Sequence, residues 1–265
     1  MTIPARTHST VDDQIAKDIL FIKGVNKFYE TQSGTTHALE NINLTIKEGE
    51  FVSIIGPSGC GKSTLLKILA NLEKPSSGEI NWGEKSSKDQ IGFVFQDSTL
   101  LPWKNVLENS LFPLKVKKMD TRENLERVEY LLKIAGLDSF KKAYPNELSG
   151  GMKQRVSIVR SLSFDPKVLL MDEPFGALDA MTRDKMNIEL QRIWNETKKT
   201  VLFITHSINE AVFLSDRVVV MSPRPGRIDR VFTIDLIRPR TVDVRETIDF
   251  VKYVKEIREV LGNDD

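Results

Sequence analysis

The sequence has little with which to build a secreted or membrane-embedded protein. It holds one cysteine, Cys60, so no intrachain disulfide can form and a reducing compartment suits it. No apolar run approaches the roughly 18 residues that a spanning helix needs. Met1 to Asp18 is polar and mixed in charge, without the apolar centre of a signal peptide. Net charge is nearly absent: 38 basic residues face 37 acidic ones, for a balance of +1, which removes any bulk electrostatic case for nucleic acid as a partner. Internal repeats and low-complexity segments are missing too. The chain therefore reads as soluble and cytoplasmic, and a role at a membrane would need a partner. Its 265 residues suit one large domain, or a domain with a subdomain.

What is present centres on Gly56-Pro57-Ser58-Gly59-Cys60-Gly61-Lys62-Ser63-Thr64, which fits the phosphate-cradle pattern G-x-x-x-x-G-K-[ST]. The flanks supply the context this motif needs. Phe51 to Ile55 is an apolar, β-branched run that reads as a buried strand. Beyond the loop, Leu65, Leu66, Ile68, Leu69 and Leu72 recur at helical spacing. Glycines let the backbone curl close to an anion, and successive N–H groups with the helix N-terminus then point at it. Lys62 is placed for the β/γ-phosphates and Ser63 for Mg²⁺. Cys60 reads as small filler, although Lys62 and the helix N-terminus beside it would lower a thiol pKa and invite alkylation.

Around this centre, Ile19–Ile22 and Val25–Tyr29, both within Asp18 to Glu30, read as strands, as does Ala38 to Ile46 after a turn at Thr31 to Thr36. Residues 1–17 read as a flexible leader. The parallel core should run through Ile91–Phe95, Val168–Met171, Thr200–Thr205 and Arg217–Met221, alternating with helices. Between them, Asn105–Leu114, Arg122–Ala135 and the stretch after Leu148 carry helical spacing, a helical insertion over about 97–163. Residues 226–265 read as a tail with a terminal helix at Ile248–Leu261. The expected class is α/β: a mostly parallel sheet with an antiparallel β region at its start.

A cradle alone hydrolyses nothing. Asp172 follows an apolar strand, at the carboxyl end where open α/β sheets bind ligands, and can hold Mg²⁺ through its water shell. Glu173, next to it, is the candidate to polarise an attacking water. Ser149-Gly150-Gly151 opens a second helix and forms a second potential anion site; an ordinary helix cap is its plainer use.

In these residues the chain resembles the ATP-binding subunit of ABC transporters. Over 18–225 the motifs follow that family's order. Leu148-Ser149-Gly150-Gly151-Met152-Lys153-Gln154-Arg155 resembles its signature, Gln96 its Q-loop, Val168–Glu173 its Walker B strand, Ala177-Leu178-Asp179 its D-loop and His206 its switch histidine. The resemblance implies a P-loop NTPase fold with a RecA-like sheet, an N-terminal antiparallel β subdomain and an ABC-specific helical subdomain. It implies ATP and Mg²⁺, with Ser63, Gln96 and Asp172 at the metal and Glu173 and His206 as catalytic residues. Tyr29 would stack on adenine, Phe28 being the neighbour it could be confused with. The signature Leu148–Met152 would act on ATP held by a second, head-to-tail copy of the chain. Ser207 stands where Asp is the family's most frequent residue. His8 and His37 have no comparable context.

Leu100–Val106 is either packing or part of a groove that receives a coupling helix from a transmembrane permease. Leu101-Pro102-Trp103 and Met221–Ile228 resemble importers of the nitrate, sulfonate and taurine type, a group that also carries pyrimidine vitamin precursors. The implied function is ATP hydrolysis that energises import at the cytoplasmic face of the membrane, served indirectly by a solute-binding protein. A soluble ABC ATPase uncoupled from transport is the rival. A small-molecule kinase is weaker, because it leaves Leu148–Arg155 unexplained.

Overall fold

The computed structural model describes residues 17–31, 34–83 and 90–262. Except for Lys17, the expected leader lies outside these residues, as does part of the turn at 31–36. Two expected strands merge into one, β1 (Asp18–Thr31), with breaks in register between Ile22 and Lys27. β2 (Gly34–Lys47) pairs antiparallel with it; its buried and exposed residues alternate, as the spacing predicts. β3 (Phe51–Ile55) leads through the glycine loop into α1 (Lys62–Leu69), and β4 (Ser77–Trp82) closes a sheet of order β2-β1-β4.

After β5 (Ile91–Val94) the chain turns helical, with α2 (Val106–Lys117), α3 (Arg122–Ile134) and α4 (Gly150–Leu162). Side-chain caps start each of them: Asn105 forms a capping box with Glu108, Thr121 caps α3 and Ser149 caps α4. The α/β core then resumes as β6 (Val168–Asp172), α5 (Ala180–Thr197), β7 (Thr200–Ile204), α6 (Ile208–Leu214) and β8 (Arg217–Met221).

The order β5-β6-β7-β3-β8-β9 makes the main sheet, parallel throughout except for its last pair. A strand points alternate side chains to opposite faces, which sorts the core into two layers. Phe51, Ile55, Leu169, Met171, Phe203 and Val220 face the helical side. Val52, Ile54, Leu170, Leu202, Val219 and Met221 face α1 and the antiparallel sheet. Both faces are covered, which explains runs of continuous rather than alternating hydrophobicity. Among the described residues, no helix is long and apolar enough to cross a membrane.

Residues 226–262 do more than the expected tail. β9 (Ile228–Thr233), unforeseen in the sequence, pairs antiparallel with β8 and closes one edge of the main sheet. α7 (Ile248–Gly262) forms where expected and sinks Phe250 and Ile257 into the helical-side core. Between them Arg240 is 3 % exposed and donates to the carbonyls of Val212, Phe213 and Ser215 at 2.9, 3.1 and 2.8 Å. It thereby caps the C-terminus of α6, whose last carbonyls lack helical partners. Burial lowers its pKa to about 10, with the charge of Arg238 adding to the effect. Gln191 on α5 holds the same residue by its backbone, accepting from Arg240 N and donating to Arg240 O.

Candidate active site

The glycine loop joins the carboxyl end of β3 to α1, as the sequence requires, and the first residue of α1 is Lys62. Gly61 caps the helix at φ +104°, and a Cβ there would stand 2.6 Å from Leu39 Cδ2. Glycine therefore serves both the turn and the close approach of the hairpin. Lys62 is buried, and its ammonium donates to the carbonyls of Gly56 and Pro57, each at 2.9 Å. The loop, Tyr29, Glu173 and His206 line one cleft of about 360 Å³.

Two pairs of side chains meet at this loop. Ser63 Oγ donates to Asp172 Oδ1 at 2.8 Å, joining the start of α1 to the end of β6. Burial pushes the Asp172 carboxyl above its usual range; the Ser63 hydrogen bond opposes this and the charge of Glu173 adds to it. A half-buried carboxylate that shares a hydroxyl proton and feels a second carboxylate beside it is a site that a hard cation would relieve, so these oxygens fit Mg²⁺. His206 Nε2 stands 2.6 Å from Glu173 Oε1. Glu173 itself sits at φ +46°, a left-handed conformation that is uncommon outside glycine and is typical of a constrained site. Gln96 is exposed and lines a smaller cavity of about 170 Å³ shared with Glu173, His206 and Glu210. Ser207, at the position where Asp is frequent, caps α6 by accepting from Glu210 N at 3.3 Å, so the cap survives the change.

Tyr29 and Phe28 are separated by strand alternation. Tyr29 lines the cleft, and its hydroxyl donates to Glu73 Oε2 at 2.5 Å while the Thr64 hydroxyl lies 3.4 Å away and can donate to it. Phe28 points the other way and stacks on His37, with ring centroids 4.1 Å apart. His37 thus has a ring partner and no place in the cleft.

Of the two readings of Cys60, small filler is the one that the structure supports. Cys60 is 1 % exposed and packs beneath the loop with Leu65, Leu66 and Met221. Burial raises its thiol pKa, outweighing the nearby Lys62 that sequence proximity favours. It is filler rather than a reactive thiol.

Sequence reasoning also missed a residue. Arg224 lines the cleft and donates from Nε and Nη2 to the Gly59 carbonyl at 3.2 and 3.0 Å. Its only signal was its place in Met221–Ile228, which carried a resemblance and no role.

Leu148–Met152 does not line this cleft. Ser149 caps α4 by accepting from Met152 N at 3.3 Å, and Ser149 and Gly150 are exposed at the helix start. Asp179 caps α5 by accepting from Thr182 N at 3.0 Å, and that hydrogen bond lowers its pKa. Two helix N-termini thus face solvent away from the chain's own phosphate loop.

Comparison with known proteins follows the same pattern. The ABC transporter family model matches residues 39–176. The aliphatic sulfonates import ATP-binding protein SsuB of Bacillus cereus is 49% identical over 224 residues, covering 83% of this chain and 88% of that one. The nitrate import ATP-binding protein NrtD of Synechocystis is 45% identical over 251 residues, covering 91% and 94%. Among solved structures, the dimeric structure of the bacterial ABC transporter cassette MJ0796 superposes with a TM-score of 0.70 at 39% identity, over 83% of this chain and 100% of that one. This chain belongs to the ABC transporter family and is one of its ATP-binding ATPases.

Proposed function

We propose that the chain is the nucleotide-binding subunit of an ABC importer and hydrolyses ATP between two copies of itself. One observation carries this: the pairs Ser63–Asp172 and Glu173–His206 stand together at the phosphate loop. Lys62 takes the β/γ-phosphates and Tyr29 stacks on adenine. Glu173 polarises the water in line with the γ-phosphate, while His206 holds Glu173 and that water in place. Ser63, Asp172 and Gln96 would hold Mg²⁺, which supplies charge neutralisation at the phosphate oxygens.

Ser149-Gly150-Gly151 lies outside its own cleft, and a helix N-terminus is an anion site. The partner's ATP is its natural ligand in a head-to-tail pair, and a dimeric cassette among the solved relatives supports that arrangement. ATP touched from both sides favours the closed dimer, and loss of the γ-phosphate relaxes it. An apolar groove of about 460 Å³, lined by Phe95, Leu101, Phe112, Pro113 and Val116, would receive a coupling helix of a transmembrane permease and place the chain at the cytoplasmic face of the membrane. Asn109 shapes this region: fully buried, it accepts from Leu101 N and donates to the carbonyls of Leu101 and Lys104. The import names of the sulfonate and nitrate relatives support a small anion or organic solute of that type, delivered by a solute-binding protein.

The test is reconstitution with the neighbouring permease and its receptor. ATPase activity should rise when the receptor is loaded with nitrate, taurine or an alkanesulfonate, and Leu101→Asp should abolish co-purification with the permease. A chain that never associates with the permease, and whose ATPase ignores all three solutes, defeats the proposal.

A further inference from the structure

The turn between β8 and β9 is absorbed by none of the roles above, yet it is clasped to β2 and lies against the phosphate loop. Gly226 N donates to Ala38 O and Gly226 O accepts from Glu40 N, at 3.1 and 2.9 Å. A Cβ on Gly226 would stand 1.9 Å from the Cys60 carbonyl, so the turn lies directly against the loop backbone. Arg227 secures its far side through an ion pair with Glu40 at 2.5 Å. Arg224, on the near side, reaches the Gly59 carbonyl and lines the cleft with Ser58, Gly59 and Lys62.

The two arginines differ in what they leave unmet. Arg227 has a carboxylate; Arg224 has none among the described residues, and its Nη1 has no acceptor there. A guanidinium carries five N–H donors in a fixed fork, and the Gly59 carbonyl is met by Nε and Nη2. The remaining donors and the whole charge stand at the mouth of a cleft that must receive a polyphosphate. Lys62 is the other permanent cation lining that cleft, and its ammonium already engages two loop carbonyls. Planar guanidinium groups suit phosphate oxygens better than any other side chain.

We propose that Arg224 is a phosphate-binding residue of the ATP site, held in place by its bond to Gly59 and by the clasped turn. The inference rests on the cleft being the nucleotide site, and the test separates the two. Equilibrium affinities for ATP, ADP and AMP would be measured on the full chain at low and high salt. The variants are Arg224→Gln, which can still bond Gly59 O but carries no charge, Arg227→Gln and Lys62→Ala. Arg224→Gln should weaken ATP binding about tenfold, the order expected for one charged hydrogen-bonding group, and flatten its salt dependence. AMP should be affected least. Arg227→Gln, which cuts the structural ion pair of the same turn, should stay within about twofold of wild type.

Unchanged ATP affinity in Arg224→Gln beside a lost one in Lys62→Ala overturns the role of Arg224 and leaves the site intact. Unchanged affinity in both overturns the site itself. Equal losses in the two arginine variants reduce Arg224 to a support of the turn. Full ATP affinity with failed dimer formation assigns Arg224 to the partner chain and also refutes the proposal.

Discussion

The imidazole Nε2 of His206, at the end of β7, stands 2.6 Å from the carboxylate Oε1 of Glu173, at the end of β6. Adjacent parallel strands end side by side, so the sheet itself brings the two groups together. Glu173→Gln keeps the shape and removes the base. It should retain ATP affinity, accumulate an ATP-bound dimer and lose turnover by about 10²- to 10⁴-fold. Gel filtration with ATP and a phosphate-release assay check this, and full activity would remove Glu173 from its role.

Ser63 and Asp172 make the corresponding argument for the metal. With burial already raising the Asp172 pKa, its charged form needs a cation nearby. Asp172→Asn should raise the Mg²⁺ concentration for half-maximal ATPase by about 10- to 100-fold, the range for ligands acting through a water shell. Identical Mg²⁺ titrations in variant and wild type would exclude Asp172 from the metal site.

Behind His206 lies a polar chain that ends at the D-loop. Arg183 donates to Leu178 O at 2.7 Å and stands 3.7 Å from Glu210 Oε1, while the other oxygen of Glu210 accepts from the Thr205 hydroxyl. Glu210 is buried, and desolvation is the main reason its pKa is raised. Glu210→Gln should lower kcat by a few-fold to about a hundredfold through misplacement of His206, with ATP affinity little changed. A drop in ATP affinity of the same size as the drop in kcat would point to general unfolding instead.

How much of this was legible beforehand depends on whether a residue's role is local. The phosphate loop, Asp172-Glu173 and Ser149-Gly150-Gly151 act through backbone turns and strand ends, so their spacing carries their chemistry. The choice of Tyr29 over Phe28 rests on resemblance; Tyr29 lines the cleft and Phe28 does not, because neighbours on a strand face opposite ways. β9 was illegible: Ile228-Asp229-Arg230-Val231-Phe232-Thr233 is a half-exposed edge strand whose stability comes from pairing with β8, not from its own pattern. Cys60 reads as filler by size alone, but its neighbours in sequence left a reactive thiol open; burial under the loop, a tertiary fact, closes that alternative. Arg224 reaches Gly59 across 165 positions, a distance no local reading spans.

The burial of Cys60 has a direct consequence. A thiol whose pKa is raised holds less thiolate than a free cysteine at any pH below its own pKa, so alkylation, which needs thiolate, slows. Native protein at pH 8 should react with iodoacetamide more slowly than a free thiol, because Cys60 is 1 % exposed and burial raises its pKa. ATP should make little further difference, and urea should restore the free-thiol rate. Rapid native labelling that ATP blocks would return Cys60 to the exposed face of the loop.

The last prediction concerns Arg240, whose guanidinium is surrounded by backbone carbonyls and joins β9, the end of α6 and, through Gln191, α5. No carboxylate pairs with it among the described residues; α6's C-terminal carbonyls supply the negative end of a dipole instead. Arg240→Met fills a similar volume but leaves those carbonyls without a donor in a dry setting. Several buried acceptors left unsatisfied, at roughly 1–3 kcal/mol each, should cost about 3–5 kcal/mol and lower Tm by roughly 10 °C. Arg240→Lys should fall between, since a point charge cannot fork across several carbonyls. Urea unfolding of the three proteins measures this directly. Coincident midpoints would mean that Arg240 adds nothing to stability, whereas the predicted order makes its guanidinium a support of α6, next to His206.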